Sequence, residues 1–267
     1  MPPIETEHRG RVGWIWLSRP EKRNAFSEEM WDGLPRAAAQ LGDDPSVRVV
    51  VVAGRGPAFT VGIDLDYLAG FDPPGASEAD RNRRLFQTIR RLQASFTALE
   101  DLPQPVIAAV HGWCLGAGVD LITACDLRLA SADAVFSVRE TRMGIVPDVG
   151  TLQRLPGIVG WGHVAELVYT ADDFDAATAH RMGLVNRVSP DVETLWRDAQ
   201  DLAEGIASMS PMAVQGAKAV LRASRRREIQ AGLDYVALWN AAFLRSNDLT
   251  EALSAFLERR PPSFPGD

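Results

Sequence analysis

Residues 106–130 read VIAAVHGWCLGAGVDLITACDLRLA, and this stretch decides the fold. Its first twenty residues are nearly apolar, which on length alone is compatible with a membrane helix. However, His111, Asp120 and several glycines interrupt the run. The pattern favours buried elements of a folded core over a membrane span. It predicts a strand, a helix after a glycine turn, and a second strand, at Val106–Val110, Gly116–Ala124 and Asp126–Ala130.

The rest of the chain alternates short apolar runs with longer amphipathic ones. Strands are predicted at Arg11–Leu17, Val47–Ala53 and Val185–Val188. Helices are predicted at Ser27–Leu41 with Ser27 as N-cap, at Glu78–Leu99 after a loop at Asp72–Ser77, and from about Asp175. From Val192 onward only helices are predicted, at 192–208, 211–226, 228–245 and 248–258. We therefore expect an α/β core at 1–191 and a helical C-terminal region at 192–267.

Composition narrows the possible functions. The chain has 267 residues with 28 basic and 35 acidic side chains, a formal net charge of −7. This charge argues against nucleic acid or an anionic membrane as the main partner. Two cysteines are too few for a disulfide framework, and four histidines without paired spacing predict no zinc site. Acid–base chemistry is therefore expected to depend on carboxylates.

The termini and the basic residues bear on location. The N-terminal segment MPPIETEHRG has neither the basic nor the apolar region of a secretory signal, which predicts a cytoplasmic protein. All but two of the 28 basic residues are arginine, which is typical of a GC-rich genome and indicates a bacterial source.

Three acids occur in largely apolar surroundings at Asp120, Glu140 and Asp148. A buried carboxylate must shift its pKa or find a hydrogen-bond donor. Asp120 could be a structural residue, bonded to nearby backbone or to an arginine such as Arg139 or Arg142. Because three such acids fall within 29 residues, two of them beside glycine turns, an active site is the stronger interpretation.

Two glycine-containing loops could bind an anionic oxygen. Gly116-Ala117-Gly118 lies between a predicted strand and helix, where backbone N–H groups are available. A second loop, 59–64, follows the Val47–Ala53 strand. One donor from each loop would form an oxyanion hole, although ordinary turn geometry also accounts for the glycines. Leu121 stands where a dinucleotide fingerprint needs its third glycine, so Rossmann-type binding is not supported.

Four segments taken together resemble the crotonase (enoyl-CoA hydratase/isomerase) superfamily. They are LSRPEKRNAFSEEM, AFTVGIDL, HGWCLGAGVDLITACDLRLAS and VRETRMGIVPDVGTLQRLPGIVG, and they span most of the chain in order. The resemblance implies a spiral of ββα units with a helical C-terminal trimerisation region, in homotrimers or homohexamers. It also implies an acyl-CoA thioester substrate, no cofactor beyond the coenzyme A of the substrate, and no metal.

The same resemblance assigns site residues. The N–H groups of Ile63 and Ala117 would hold the thioester oxygen. The substrate and its CoA part would be lined by Arg23, Ala25, Val61, Gly62, Asp64 and Leu65.

Within the superfamily the chain is most similar to the Δ3,5-Δ2,4-dienoyl-CoA isomerases. Their pattern is an aspartate, a glutamate and a second aspartate eight residues later, as at Asp120, Glu140 and Asp148. Typical hydratases have two glutamates at the first two positions and a small residue at the third. By resemblance, Asp148 removes the C2 proton, Glu140 protonates C6, and Asp120 keeps Glu140 protonated.

Two alternatives and two departures accompany this prediction. The first alternative is an enoyl-CoA hydratase that uses Asp120 and Glu140. The second is a non-catalytic RNA- or partner-binding homologue, because arginines cluster at 81–91 and 222–227. Ala117 replaces the middle glycine of the usual triplet, and Pro147 restricts the backbone before Asp148.

Overall fold

A computed structural model describes residues 2–70 and 75–266 of the chain. The strands are β1 (Ile4–Arg9), β2 (Val12–Leu17), β3 (Val49–Gly54), β4 (Val106–Val110), β5 (Trp113–Leu115), β6 (Leu127–Ser131), β7 (Val135–Ser137), β8 (Phe174–Asp175) and β9 (Arg187–Ser189). The helices are α1 (Glu28–Gly42), α2 (Leu65–Ala69), α3 (Glu78–Asp101), α4 (Ala117–Ala124), α5 (Thr151–Arg154), α6 (Pro156–Val159), α7 (Trp161–Thr170), α8 (Ala176–Arg181), α9 (Val192–Ala207), α10 (Pro211–Ala223), α11 (Arg226–Phe243) and α12 (Asn247–Glu258).

The main sheet has the order β1-β2-β3-β4-β6-β9. Only β1 and β2 are antiparallel, and every other neighbouring pair is parallel. A second sheet has the order β5-β7-β8. The paired strands and the helices between them confirm the predicted α/β class and give the spiral arrangement that the resemblance implies.

Alternate residues of the parallel strands pack against helices on opposite faces of the main sheet. On one face, Trp14, Val51 and Ile107 pack against the apolar side of α9. On the other, Ile15, Val52 and the rest of a larger cluster pack against α1 and α3. The central strands are therefore buried on both faces, which explains why they read as continuous apolar runs rather than as alternating ones.

The stretch at 106–130 folds as strand, strand, helix and strand. Its apolar run is divided between β4, β5 and α4, and no helix within the described ranges is long and apolar enough to cross a membrane. The predicted β4 has the observed bounds, while the three-residue β5 was not predicted. Its main-chain contacts, rather than any alternation of side chains, define it as a strand: it pairs with β7 in the small sheet.

Several other boundaries differ from the prediction. The strand predicted at Val185–Val188 lies two residues later in β9, because Leu184 and Val185 pack in the core while Arg187 begins the pairing with β6. Strand β1 was missed because it is a partly exposed edge strand rich in charged residues. The loop predicted at Asp72–Ser77 lies outside the described residues at positions 72–74.

The C-terminal part is helical, as predicted. Ser27 is the N-cap of α1, and helices α9 to α12 begin and end within a few residues of their predicted bounds. Since α9 covers one face of the main sheet, it packs with the core, whereas α10 to α12 carry many exposed apolar side chains. The division at 191/192 stays a prediction.

Candidate active site

The two glycine-containing loops lie against each other at the ends of β3 and β5. Thr60 accepts the N–H of Leu115 through its carbonyl oxygen at 3.1 Å, and its own N–H donates to Trp113 at 2.9 Å. Gly62 approaches so closely that a Cβ added to it would lie 2.8 Å from the Leu115 carbonyl oxygen and 3.4 Å from the Ala117 nitrogen. The backbone before Ile63 therefore lies directly beside the first residue of α4.

The backbone on the other side of Ile63 fixes the direction of its N–H group. The carbonyl of Gly62 accepts from Phe26, and the N–H of Asp64 donates to Phe26. In this parallel bridge the Ile63 N–H points away from Phe26. The Ala117 N–H is one of the donors that the first turn of α4 leaves without an intrahelical partner. Two N–H groups from different loops are thus available at one place.

Asp120 lies in the first turn of α4 and is almost completely buried. One of its oxygens, Oδ1, accepts the backbone N–H of Thr151 at 2.5 Å. The expected arginine partners are absent, since Arg139 pairs with Asp173 and Arg142 with Asp172. The start of α5, rather than either arginine, therefore holds this carboxyl group.

Glu140 begins a short 3₁₀ turn, Glu140–Met143, that ends at Gly144 in the left-handed region. Its Oε1 lies 3.4 Å from the position of a Cβ on Gly116, so the carboxyl group lies against the loop that carries Ala117. Its Oε2 is buried and has no hydrogen-bond partner in the described part of the protein. Glu140 therefore places its carboxyl group against the loop that carries Ala117.

Asp148 follows Pro147 in the loop between that turn and α5. Its Oδ2 accepts a hydrogen bond from Asn240 on α11 at 2.7 Å. Its backbone carbonyl accepts from Gln93 on α3 at 2.7 Å. Pro147 restricts the backbone before Asp148, and side chains from α3 and α11 further fix the position of Asp148.

The three acids interact electrostatically. Burial and the charges of Asp120 and Asp148 raise the pKa of Glu140 well above its usual range. Burial also raises the pKa of Asp120, although its hydrogen bond to Thr151 and the charge of Arg154 oppose that effect. Burial and the charge of Asp120 raise the pKa of Asp148 to about 7, against the hydrogen bond from Asn240. The arrangement therefore favours a protonated Glu140 and an Asp148 that titrates near neutrality.

The residues expected to line the substrate lie on or beside the loop at 59–64. The Val61 N–H donates to the carbonyl of the exposed Arg23 at 3.2 Å, and Ala25 lies two residues further along the chain. Both oxygens of Asp64 are occupied. Oδ2 accepts from Arg19 at 2.5 Å, and Oδ1 caps α2, which begins at Leu65, by accepting the Asp66 N–H at 2.9 Å. In this structure Asp64 fixes the shape of the loop.

Three residues at the site were missed from the sequence. Gln93 and Asn240 bind the Asp148 segment, and the buried Arg154 pairs with Glu100 at 2.9 Å. Arg154 packs so closely on Gly150 that a Cβ there would collide with its guanidinium group, but this contact cannot be seen from the sequence. Gln93 and Asn240 are buried polar residues on α3 and α11, and no sequence pattern distinguishes them from polar residues on an exposed face.

Four of the five arginines of α3 are engaged in ion pairs within the chain. Arg83 and Arg84 pair with Asp80, Arg90 with Asp234, and Arg91 with Glu28 and Asp32. Much of the positive charge on this helix is thus balanced locally. Over residues 2–70 and 75–266, no three His, Cys, Asp or Glu side chains are arranged to hold a metal ion.

Comparison with characterised sequences identifies close relatives. The chain is 45% identical over 251 residues to the peroxisomal Δ3,5-Δ2,4-dienoyl-CoA isomerase of Arabidopsis thaliana, covering 93% of this chain and 90% of that protein. It is 44% identical to the mitochondrial Δ3,5-Δ2,4-dienoyl-CoA isomerase of Rattus norvegicus, covering 96% of this chain and 79% of that protein. The organelles in the names of these relatives conflict with the bacterial source expected from the sequence.

Comparison with solved structures also finds similarity to enoyl-CoA hydratases and isomerases. The crystal structure of an enoyl-CoA hydratase/isomerase from Pseudoalteromonas atlantica superposes with a TM-score of 0.86 at 28% identity, covering 98% of this chain and 99% of that one. The family model described as enoyl-CoA hydratase/isomerase matches residues 7–267. The chain is therefore a member of the enoyl-CoA hydratase/isomerase family, within the crotonase superfamily of enzymes.

Proposed function

We propose that this protein isomerises 3,5-dienoyl-CoA to 2,4-dienoyl-CoA. The observation that carries the proposal is that three carboxyl groups, Asp120, Glu140 and Asp148, interact with one another next to the two glycine-containing loops. A hydratase of the family pattern needs only two acids. The third, Asp148, is held by two helices in a fixed position, which supports a role for it in proton transfer.

The net reaction shifts one proton from C2 to C6 without oxidation or reduction of the substrate. Asp148, as a carboxylate, removes a proton from C2, and the electron pair of that bond spreads through the C3–C4 and C5–C6 double bonds and onto the thioester oxygen. Glu140, as a carboxylic acid, then protonates C6, which leaves double bonds at C2 and C4. The proton must afterwards return from Asp148 to Glu140. Because the reaction is redox-neutral, the coenzyme A of the substrate is the only cofactor that we propose.

The two loops would stabilise the intermediate. The N–H groups of Ile63 and Ala117 are assigned to the thioester oxygen, where negative charge develops when the C2 proton leaves. Asp120 is assigned to Glu140, since two adjacent carboxyl groups resist joint ionisation and one proton is retained between them. The CoA part is assigned to the surface formed by Arg23, Ala25, Val61, Gly62 and Leu65, with Asp64 holding the loop.

The proposal also includes an oligomeric state and a cellular location for the protein. Apolar side chains are exposed along α10 to α12, among them Met212, Leu221, Tyr235, Phe243 and Leu257. An exposed apolar surface of this kind is typical of an association surface, which supports a homotrimer or homohexamer. A cytoplasmic location remains part of the proposal, and cell fractionation of the native host would test it.

The decisive experiment is an assay of the purified protein with 3,5-dienoyl-CoA. We expect an increase in ultraviolet absorbance as the diene becomes conjugated with the thioester carbonyl. The same protein is then assayed for hydration of crotonyl-CoA. No isomerisation, together with hydration that survives Asp148→Ala, would replace the proposal with the hydratase alternative.

The isomerase rate should depend on pH through two carboxyl groups. Asp148 must be ionised, and its pKa is raised to about 7, so kcat/KM is expected to rise as the pH increases through about 7. Glu140 must be protonated, and its pKa is raised well above the usual range, so kcat/KM should fall again at alkaline pH. The measurement is kcat/KM from pH 5 to 10. A rate that is highest at pH 5 and falls through neutrality would contradict the assigned roles.

A further inference from the structure

Asn240 connects the helical C-terminal region to the catalytic loop. Its side chain is buried on α11, where 2% of the residue surface is exposed. The amide nitrogen Nδ2 donates to the Val146 carbonyl at 2.8 Å and to Asp148 Oδ2 at 2.7 Å. An amide nitrogen carries two hydrogens, so both are used on the segment that ends at Asp148.

Gln93 holds the same segment from the opposite helix. Its Nε2 donates to the Asp148 carbonyl at 2.7 Å and to the Leu233 carbonyl of α11 at 2.9 Å. Its Oε1 accepts from Arg90 at 3.0 Å, and Arg90 pairs with Asp234 of α11 at 2.6 Å. The backbone of Asp148 is thus fixed by α3, while Asn240 alone of these residues reaches its carboxyl group.

The chemistry of the amide suits a carboxyl group that must gain and lose a proton. An amide N–H donates at every pH of interest and adds no charge of its own. Donation to Oδ2 stabilises the carboxylate form. Asn240 thus orients the carboxyl group of Asp148 from its Oδ2 side.

We propose that Asn240 is a positioning residue for proton transfer, holding Asp148 through Oδ2 so that its carboxyl group meets C2 of the substrate. This inference rests on the proposed function, because it presupposes that Asp148 takes the proton. It adds a residue outside the three acids and assigns it to the C-terminal helix α11.

Other charged groups surround Asp148, and the test must separate their effects from that of Asn240. They come from every element packed around the loop: Asp120 of α4, Glu140 of the 3₁₀ turn, the Arg154–Glu100 pair of α5 and α3, the Arg90–Asp234 pair of α3 and α11, and Asp248 of α12 beside Gly144. None of these groups is altered by an uncharged replacement at position 240.

The test compares Asn240→Leu, which is similar in size but has no donor, with Asn240→Ser, which keeps a smaller hydroxyl donor. The acidic limb of the kcat/KM profile is expected to move up by about one pH unit in Asn240→Leu and by less in Asn240→Ser. At pH 7 kcat should fall about fivefold in Asn240→Leu with KM nearly unchanged, and the deficit should shrink as the pH rises. Asn82→Leu, on α3 where the side chain contacts Arg245, is the matched control and should leave the limb in place.

A second readout does not require turnover. Infrared titration of the substrate-free protein, subtracted against Asp148→Asn, follows the protonated carboxyl group of Asp148 and should show the same upward shift in the position 240 variants. A uniform loss of kcat at all pH values, with the limb and the infrared titration unmoved in both variants, would overturn the inference. An infrared shift without any dienoyl-CoA turnover would instead retain the role of Asn240 and refute the proposed function.

Discussion

Replacing Asp148 with asparagine is expected to lower kcat for 3,5-dienoyl-CoA isomerisation by about 10³-fold. The amide cannot accept the C2 proton, yet its oxygen can still accept the hydrogen bond from Asn240, so the loop should keep its position. Glu140→Gln should cause a loss of similar size, because C6 then has no proton donor. The measurement is single-turnover conversion by each variant under saturating substrate.

The stability of these variants provides the control. The pKa of Asp148 is raised on folding to about 7, so ionisation of this group opposes folding at a pH above that value. Removing the charge should therefore leave the unfolding temperature of Asp148→Asn at pH 8 equal to or above that of the parent. An inactive variant that also unfolds early would point to a structural role for Asp148, and full activity in Asp148→Asn would refute its role as base.

Gly62→Ala is expected to lower kcat by about 10²-fold through the oxyanion hole. Gly62 has a φ of +92°, and its added Cβ would lie 2.8 Å from the Leu115 carbonyl oxygen and 3.4 Å from the Ala117 nitrogen. The substitution must push the two loops apart at the position where their N–H groups are to meet one oxygen. The measurement is kcat per folded molecule, with the folded fraction determined by circular dichroism.

Gly205→Ala is the matched control for this experiment. Gly205 lies within α9, and a Cβ added to it meets nothing within 4 Å. We expect unchanged activity and a gain in stability of about 0.5–1 kcal/mol from the better helix former. Retention of full kcat by Gly62→Ala would show that the thioester oxygen is stabilised elsewhere.

The helices and strands that could be predicted best are those whose burial in the fold matches the hydrophobic pattern of their own residues. The apolar runs that became β3 and β4 are buried on both faces, and the amphipathic helices α1, α3 and α9 each begin after a serine or an aspartate in the N-cap position. Such elements are specified by residues close together in the chain, so their bounds could be predicted within a few residues. The short β5, β7 and β8 depend on partners distant in the sequence and left no comparable signal. Strand β1 pairs with the neighbouring β2, but its charged, partly exposed residues hide it.

The candidate site divides in the same way. The three acids and the two loops could be named from local sequence and resemblance. Asp120 was expected to bond either to nearby backbone or to an arginine such as Arg139 or Arg142, and its donor is the backbone N–H of Thr151, 31 positions away. Asn240 lies 92 positions from Asp148, and only the packing of α11 on the loop brings them together.

The attachment of the Asp148 loop to α3 and α11 has a consequence for protein engineering. Transplanting Asp120, Glu140 and Asp148 into a hydratase scaffold would copy the reactive groups but not the two amides that orient the loop backbone and Oδ2. A designer who wishes to convert one activity into the other should therefore treat Gln93 and Asn240 as part of the same module as the acids. The smallest transferable unit of this site is three carboxylates together with two amides.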